Sequence, residues 1–82
     1  MNVKEIKDWA KMEVNGAERR LQEQAEYVAR DLEDQAQQIR QGRIYSTDCQ
    51  NMVGKLNTLH DLKKELEMLQ QKVQMLEEIK EE

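Results

Sequence analysis

The sequence predicts an all-α fold: an antiparallel two-helix hairpin of coiled-coil type, expected to dimerise into a four-helix bundle. Three observations support this prediction. The chain of 82 residues has no proline and 37% charged residues, a composition typical of long helices. Its first half carries a continuous apolar stripe at helical spacing, and its second half carries a heptad pattern. Together the two halves are predicted to form one helical-hairpin domain over residues 1–82.

The first helix is predicted over residues 3–41, where apolar residues recur at steps of three, four and four. These residues are Val3, Ile6, Ala10, Val14, Ala17, Leu21, Ala25, Val28, Leu32, Ala36 and Ile39. Such an eleven-residue repeat keeps the stripe on one side of a nearly straight helix, or lets it drift slightly right-handed. Asn15-Gly16 favours a turn and is the rival break, but the stripe continues across it and predicts one continuous helix.

The turn between the helices is predicted at residues 42–47. Gly42 suits the left-handed position that closes a helix, and Thr47 followed by Gln50 has the spacing of a capping box. The second helix is therefore expected over residues 48–80. Because so short a connection leaves no room for a crossover, the two helices must lie antiparallel.

The second helix carries a coiled-coil pattern, with Leu56 flanking its heptad a and d positions. Those positions are held by Met52, Leu59, Leu62, Leu66, Leu69, Val73 and Leu76. Folding the chain about Ile44 sets large residues of this helix opposite the stripe. The predicted pairs are Ile39 with Cys49, Ala36 with Met52, Leu32 with Leu56, Val28 with Leu59, Leu21 with Leu66, and Val14 with Val73.

Two further features agree with this register. The alanines of the stripe leave room for long side chains on the facing helix, as close packing requires. They are Ala10, Ala17, Ala25 and Ala36. The register also brings Lys7 and Lys11 alongside Glu81 and Glu77, so opposite charges meet at the open end of the hairpin.

Several apolar side chains do not fit between two helices, and they predict a contact surface. They are Trp9, Met12, Tyr27, Val53, Met68 and Met75. A second hairpin would bury many of them, whereas scattered surface residues would need no partner. We expect a non-enzymatic interaction module: an adaptor, an assembly element or an inhibitor of a protein partner. Aromatic and methionine side chains dominate interfaces, so the predicted partner-binding residues are Trp9, Tyr27, Met68 and Met75.

The sequence offers little reactive chemistry. With one histidine and one cysteine, no Cys/His zinc cluster can form within a chain, and no cofactor motif is present. Cys49 is expected to be semi-buried and inert. The net charge of −4 argues against general nucleic-acid or membrane-surface binding. Since neither a signal peptide nor a long apolar run appears, the expected location is the cytoplasm.

An alternative function lies at the hairpin tip, where helix N-terminal amides meet arginines, hydroxyls and an aromatic ring. Such groups hold phosphates, so the tip could bind a small anionic ligand such as a nucleotide, which Asp48 would oppose. The residues concerned are Arg40, Arg43, Tyr45, Ser46 and Thr47.

A second alternative concerns His60. The string His60-Asp61-Leu62-Lys63-Lys64-Glu65-Leu66 resembles the phosphoacceptor box of sensor histidine kinases. The family places a proline where this chain has Glu65, and its histidine lies on the first hairpin helix rather than the second. The resemblance implies a dimeric helical hairpin with phosphotransfer through an exposed His60.

Overall fold

Residues 2–80 are described by a computed structural model, in which two long helices pack side by side. Helix α1 spans Val3–Arg40 and helix α2 spans Ser46–Glu77. The molecule measures 64 × 16 × 15 Å, so it is one rod two helices thick. The predicted all-helical hairpin is confirmed, and neither helix carries a stretch long and apolar enough to cross a membrane.

Helix α1 begins and ends at residues that satisfy its free backbone groups. The side chain of Asn2 accepts a hydrogen bond from the Glu5 amide at 2.9 Å, which makes Asn2 the N-cap. The helix runs through Asn15-Gly16 without interruption, as the stripe predicted. It closes at Gly42, whose φ of 77° lies in the left-handed region where glycine carries no Cβ penalty.

Helix α2 begins two residues earlier than predicted. Its N-cap is Tyr45, which has extended backbone angles and makes no side-chain cap hydrogen bond. The expected capping box at Thr47 is therefore wrong, because Thr47 already lies in the first helical turn and an N-cap must be non-helical. The helix ends at Glu77 rather than near residue 80, and a turn from Ile79 to the Leu76 carbonyl follows it.

The antiparallel arrangement is confirmed by ion pairs that run in opposite order along the two helices. Lys11 pairs with Glu77 at 3.0 Å, and Arg20 pairs with Glu65 at 3.6 Å. Lys7 donates a hydrogen bond to the Ile79 carbonyl at 2.6 Å. Lys7 was predicted to pair with Glu81, which lies outside the described residues.

The seam between the helices has heptad spacing on both sides. On α2, the half-buried residues are Asp48, Met52, Lys55, Leu59, Leu62, Leu66, Leu69, Val73 and Leu76. On α1, buried or half-buried residues at heptad spacing are Val3, Lys7, Ala10, Val14, Ala17, Leu21, Val28, Asp31, Gln35 and Gln38. The heptad pattern predicted for the second helix is thus confirmed, apart from the polar positions Asp48 and Lys55 in the half nearest the turn.

The eleven-residue stripe of α1, in contrast, does not coincide with the seam. Stripe and seam share most positions up to Leu21, and they share Val28. The stripe residue Ile6 is exposed while its neighbour Lys7 lies on the seam, and Ala25, Leu32 and Ile39 are exposed as well. The physical reason is that α2 has a repeat of 3.5 residues per turn, and a helix packed along it must follow the same repeat. The predicted contacts of Leu32 with Leu56 and of Ile39 with Cys49 are therefore not buried, because all four residues lie outside the seam.

The buried core is small as a result. The buried residues among those described are Lys7, Ala10, Ala17 and Val28, and none of them is on α2. Ala10 and Ala17 are buried on the seam, whereas Ala25 is exposed. Two helices alone cover too little apolar surface to bury a leucine fully.

Candidate protein-interaction surfaces

The first exposed apolar surface surrounds a hollow of about 420 Å³ beside the turn. Its lining is apolar except at a few positions, and both helices and the connection contribute to it. We call its apolar residues the tip surface, namely Leu32, Ala36, Ile39, Ile44, Tyr45, Cys49, Met52 and Val53. Leu56, 45% exposed, lies one helical turn beyond Val53.

The second surface is an open groove of about 540 Å³ near the far end of α2. Met68 and Met75, each 70% exposed, lie two helical turns apart along it. Leu76 and Ile79 complete its apolar lining, and Lys72 and Glu78 supply charges of opposite sign. We call this the methionine groove.

Trp9 lies on the same side of the hairpin as the methionine groove. Glu13, one turn after Trp9, reaches Lys72 at 3.9 Å, and Lys72 lies one turn after Met68. Trp9 and Met68 therefore flank one ion pair from opposite helices. Tyr27 is eighteen residues, or five helical turns, beyond Trp9 and so shares its side of α1.

Tyr27 also has a cation near its ring. The Lys55 ammonium lies 5.5 Å from the ring centroid and forms an ion pair with Asp31 on the seam. The hydrogen bond with Asp31 raises the pKa of Lys55, and burial opposes this effect. This arrangement orients the Tyr27 ring while leaving it 58% exposed.

The tip surface and the side bearing Trp9 and Met68 face different directions. Tyr27 and Leu32 are five residues apart on α1, which is about 140° around a helix. Leu56 and Met68 are twelve residues apart on α2, which is about 120° around that helix. The hairpin thus presents two separate apolar surfaces.

The residues predicted to bind an anion are not gathered into one polar site. Arg43 and Tyr45 line the apolar hollow, but Arg40, Ser46 and Thr47 are not part of its lining. Asp48 shares the hollow with Arg43, so each charge sign is present once among its lining residues.

The reactive side chains are exposed and isolated. Cys49 lies exposed in the tip surface, so its predicted semi-buried position is wrong. His60 is exposed on α2, with its Nδ1 atom 4.0 Å from the neighbouring Asp61 carboxylate. Among residues 2–80, no group of three His, Cys, Asp or Glu side chains could hold a metal ion.

The ion pair at the open end of the hairpin makes stability depend on pH. The hydrogen bond from Lys11, and then its charge, lower the pKa of Glu77, while burial acts weakly in the opposite sense. A lowered pKa in the folded state means that Glu77 stabilises the hairpin above its ordinary pKa. That contribution is lost as the pH falls through the folded-state pKa.

We therefore expect Glu77→Gln to reduce the loss of stability on acidification below about pH 4.5, the ordinary pKa of the group. The measurement is urea unfolding followed by circular dichroism at pH 7 and at pH 3. Glu67→Gln, an equal charge change at an exposed position of α2, is the control. If both variants show the same acid dependence, the Lys11–Glu77 pair does not carry it.

Sequence reasoning missed the polar half of the seam. On α1, Asp31 and Gln35 occupy seam positions near the turn, where the stripe predicted Leu32 and Ala36. On α2, Lys55 occupies a seam position beside Leu56. The available signal was the continuation of the α2 heptad through Lys55 to Asp48, which predicts polar seam positions on that helix. Because Lys55 is positively charged, the residue that faces it on α1 is expected to be acidic, which indicates Asp31.

Comparison of the chain with protein-family models, with curated proteins and with solved structures finds no match.

Proposed function

We propose that this chain is a non-enzymatic protein–protein interaction module that acts as a homo-oligomer, in the role of an adaptor, an assembly element or an inhibitor. One observation carries the proposal. Thirteen large apolar side chains of the described residues are at least 37% exposed, while no residue of Ser46–Glu77 is buried. Contiguous apolar surface of this kind marks interaction sites, whereas single exposed side chains do not.

Self-association is supported by the small core. Fully burying one large apolar side chain contributes about 1.5 to 3 kcal/mol, so covering a few of the thirteen adds several kcal/mol. Small domains with so little buried surface commonly gain stability by oligomerisation. The assembly that we propose is an antiparallel four-helix dimer of two hairpins.

We assign the binding of a partner protein, as distinct from a second copy of this chain, to one side of the hairpin. That side bears Trp9, Tyr27, Met68 and Met75. Methionine adapts its shape to a partner, and exposed aromatic rings supply large contact areas at low entropic cost. The ion pair between Glu13 and Lys72 lies between Trp9 and Met68. A partner must therefore match this pair of charges as well as the two apolar side chains, which makes binding more specific.

The experiment combines solution mass with partner capture. Light scattering over a dilution series should give the mass of a dimer or a larger species. The immobilised chain, incubated with proteins of its source cell, should retain a specific protein that Met75→Asp no longer retains. Gln22→Asp, which adds the same charge at an exposed polar position of α1, should still retain it. A monomer at every concentration would overturn self-association, and equal retention by both variants would overturn the assignment of the partner site.

A further inference from the structure

The half of the hairpin nearest the turn places several polar residues on the seam, beside Val28 and Met52, and leaves several large apolar residues exposed outside it. Asp31 and Lys55 form an ion pair on the seam, and Gln35 lies half-buried there too. Leu32 is the residue after Asp31 and is 40% exposed, and Ile39 is 55% exposed. This distribution is inverted for an isolated pair of helices, but it is normal where further helices cover the outer side.

The exposed residues also have the spacing of a helix-packing surface. Leu32 and Ile39 lie two turns apart on α1, while Cys49, Val53 and Leu56 lie one turn apart on α2. Rows of this spacing accept the side chains of another helix. A small-molecule site would in addition need several precisely placed polar groups. The charged residues that line the hollow are only Arg43 and Asp48, and the rest of its lining is mostly apolar.

Charge and area favour a second copy as the occupant. Arg43 and Asp48 give the lining of the hollow no net charge, so two copies can meet there without net repulsion. Half of the 64 Å length at a width of 16 Å corresponds to about 500 Å² per copy, or about 1,000 Å² in total. That total reaches the lower limit for specific interfaces, which the long, flat side of an identical hairpin can supply.

We infer that the tip surface is the site where a second copy of this chain packs, and that Trp9 and the methionine groove remain free for a different protein. The inference rests on the proposed self-association and names the surface that it uses. The two surfaces lie on different sides of the hairpin. A chain that dimerises through the tip surface can therefore still bind a partner protein through Trp9 and the methionine groove.

The chain carries a natural reporter on each side, since its one cysteine, Cys49, lies in the tip surface and its one tryptophan, Trp9, lies on the other. Light scattering, Cys49 alkylation by iodoacetamide and Trp9 fluorescence are measured on the same dilution series. We expect alkylation to slow by about tenfold once about 90% of chains are dimeric, because only the free hairpin reacts. The emission maximum of Trp9 should stay constant. Chain unfolded in guanidinium chloride gives the unprotected rate.

The outcomes separate the two proposals. A dimeric mass with undiminished Cys49 alkylation, or with a Trp9 spectrum that shifts on association, overturns the tip surface as the interface and leaves self-association standing. A monomeric mass at every concentration overturns both. Because these measurements use the unmodified chain, they do not depend on any variant folding.

Variants give an independent reading of the same question. We expect Ile39→Asp to retain its helix content and to weaken dimerisation at least about 100-fold, since it places a charge in the centre of the interface. Met75→Asp, the matched change in the methionine groove, should leave dimerisation unchanged. The reverse pattern, with Met75→Asp monomeric and Ile39→Asp dimeric, would place the interface on the other side of the hairpin.

Discussion

Val28→Asp is expected to unfold the hairpin or to destabilise it by at least about 3 kcal/mol. Val28 is 2% exposed, the lowest value among the buried residues, and it lies on the seam. An aspartate there would lose its hydration, and the Lys55 ammonium beside Tyr27 is already paired with Asp31. Burying a charge without a partner of its own is among the largest costs that one substitution can impose. Since the core has few buried residues, that cost is a large share of the total stability.

The measurement is helix content by circular dichroism, followed by urea unfolding at one fixed protein concentration. Ala29→Asp is the control, because Ala29 is the next residue along α1 and is exposed. It adds the same charge and costs only the difference in helix propensity, about 0.7 kcal/mol. Equal losses in the two variants would mean that Val28 does not lie between the helices.

Ala17→Leu is expected to destabilise the hairpin by about 1 to 3 kcal/mol. Ala17 is 3% exposed and lies on the seam with α2, so little free space surrounds its side chain. Adding three carbon atoms to a filled seam forces side chains off their rotamers or moves the helices apart. Leucine and alanine have similar helix propensities, so the loss reports packing rather than helix formation.

Ala25→Leu is the matched variant. Ala25 belongs to the same apolar stripe but is exposed, so the free energy of unfolding should change by no more than about 0.5 kcal/mol. Urea unfolding of both variants at one protein concentration provides the comparison. Should Ala25→Leu cost as much as Ala17→Leu, the seam would follow the eleven-residue stripe rather than the heptad.

Much of the fold follows from local sequence features. The absence of proline and the periodicity of the apolar residues predicted two helices, and Gly42 predicted where the first one closes. These features act within a few residues of each other, so they are visible without a tertiary structure. The start of α2 was missed because the capping preference of Thr47 is weak beside the backbone geometry of the turn, which places Tyr45 at the N-cap.

The predicted partner-binding residues are all exposed, but their grouping was not visible in the sequence. Met68 and Met75 share a groove, and Trp9 joins their side through the Glu13–Lys72 pair. The tip surface was not predicted as a unit. Leu32, Ile39 and Cys49 were assigned to the seam, whereas Val53 was expected among the exposed apolar residues and Tyr45 in an anion site. Leu32 and Ile39 belong to the stripe of α1 by spacing alone, and spacing does not say which part of a stripe the second helix covers.

The sequence by itself determined that this chain forms two antiparallel helices with the open-end charges in register. Only the tertiary structure decided which side of α1 meets α2. The physical reason is that two apolar patterns of different period cannot stay in contact over 38 residues of α1. The heptad of α2 sets the seam, and the stripe of α1 leaves it toward the turn. The stripe residues left exposed there, Leu32 and Ile39, belong to the tip surface.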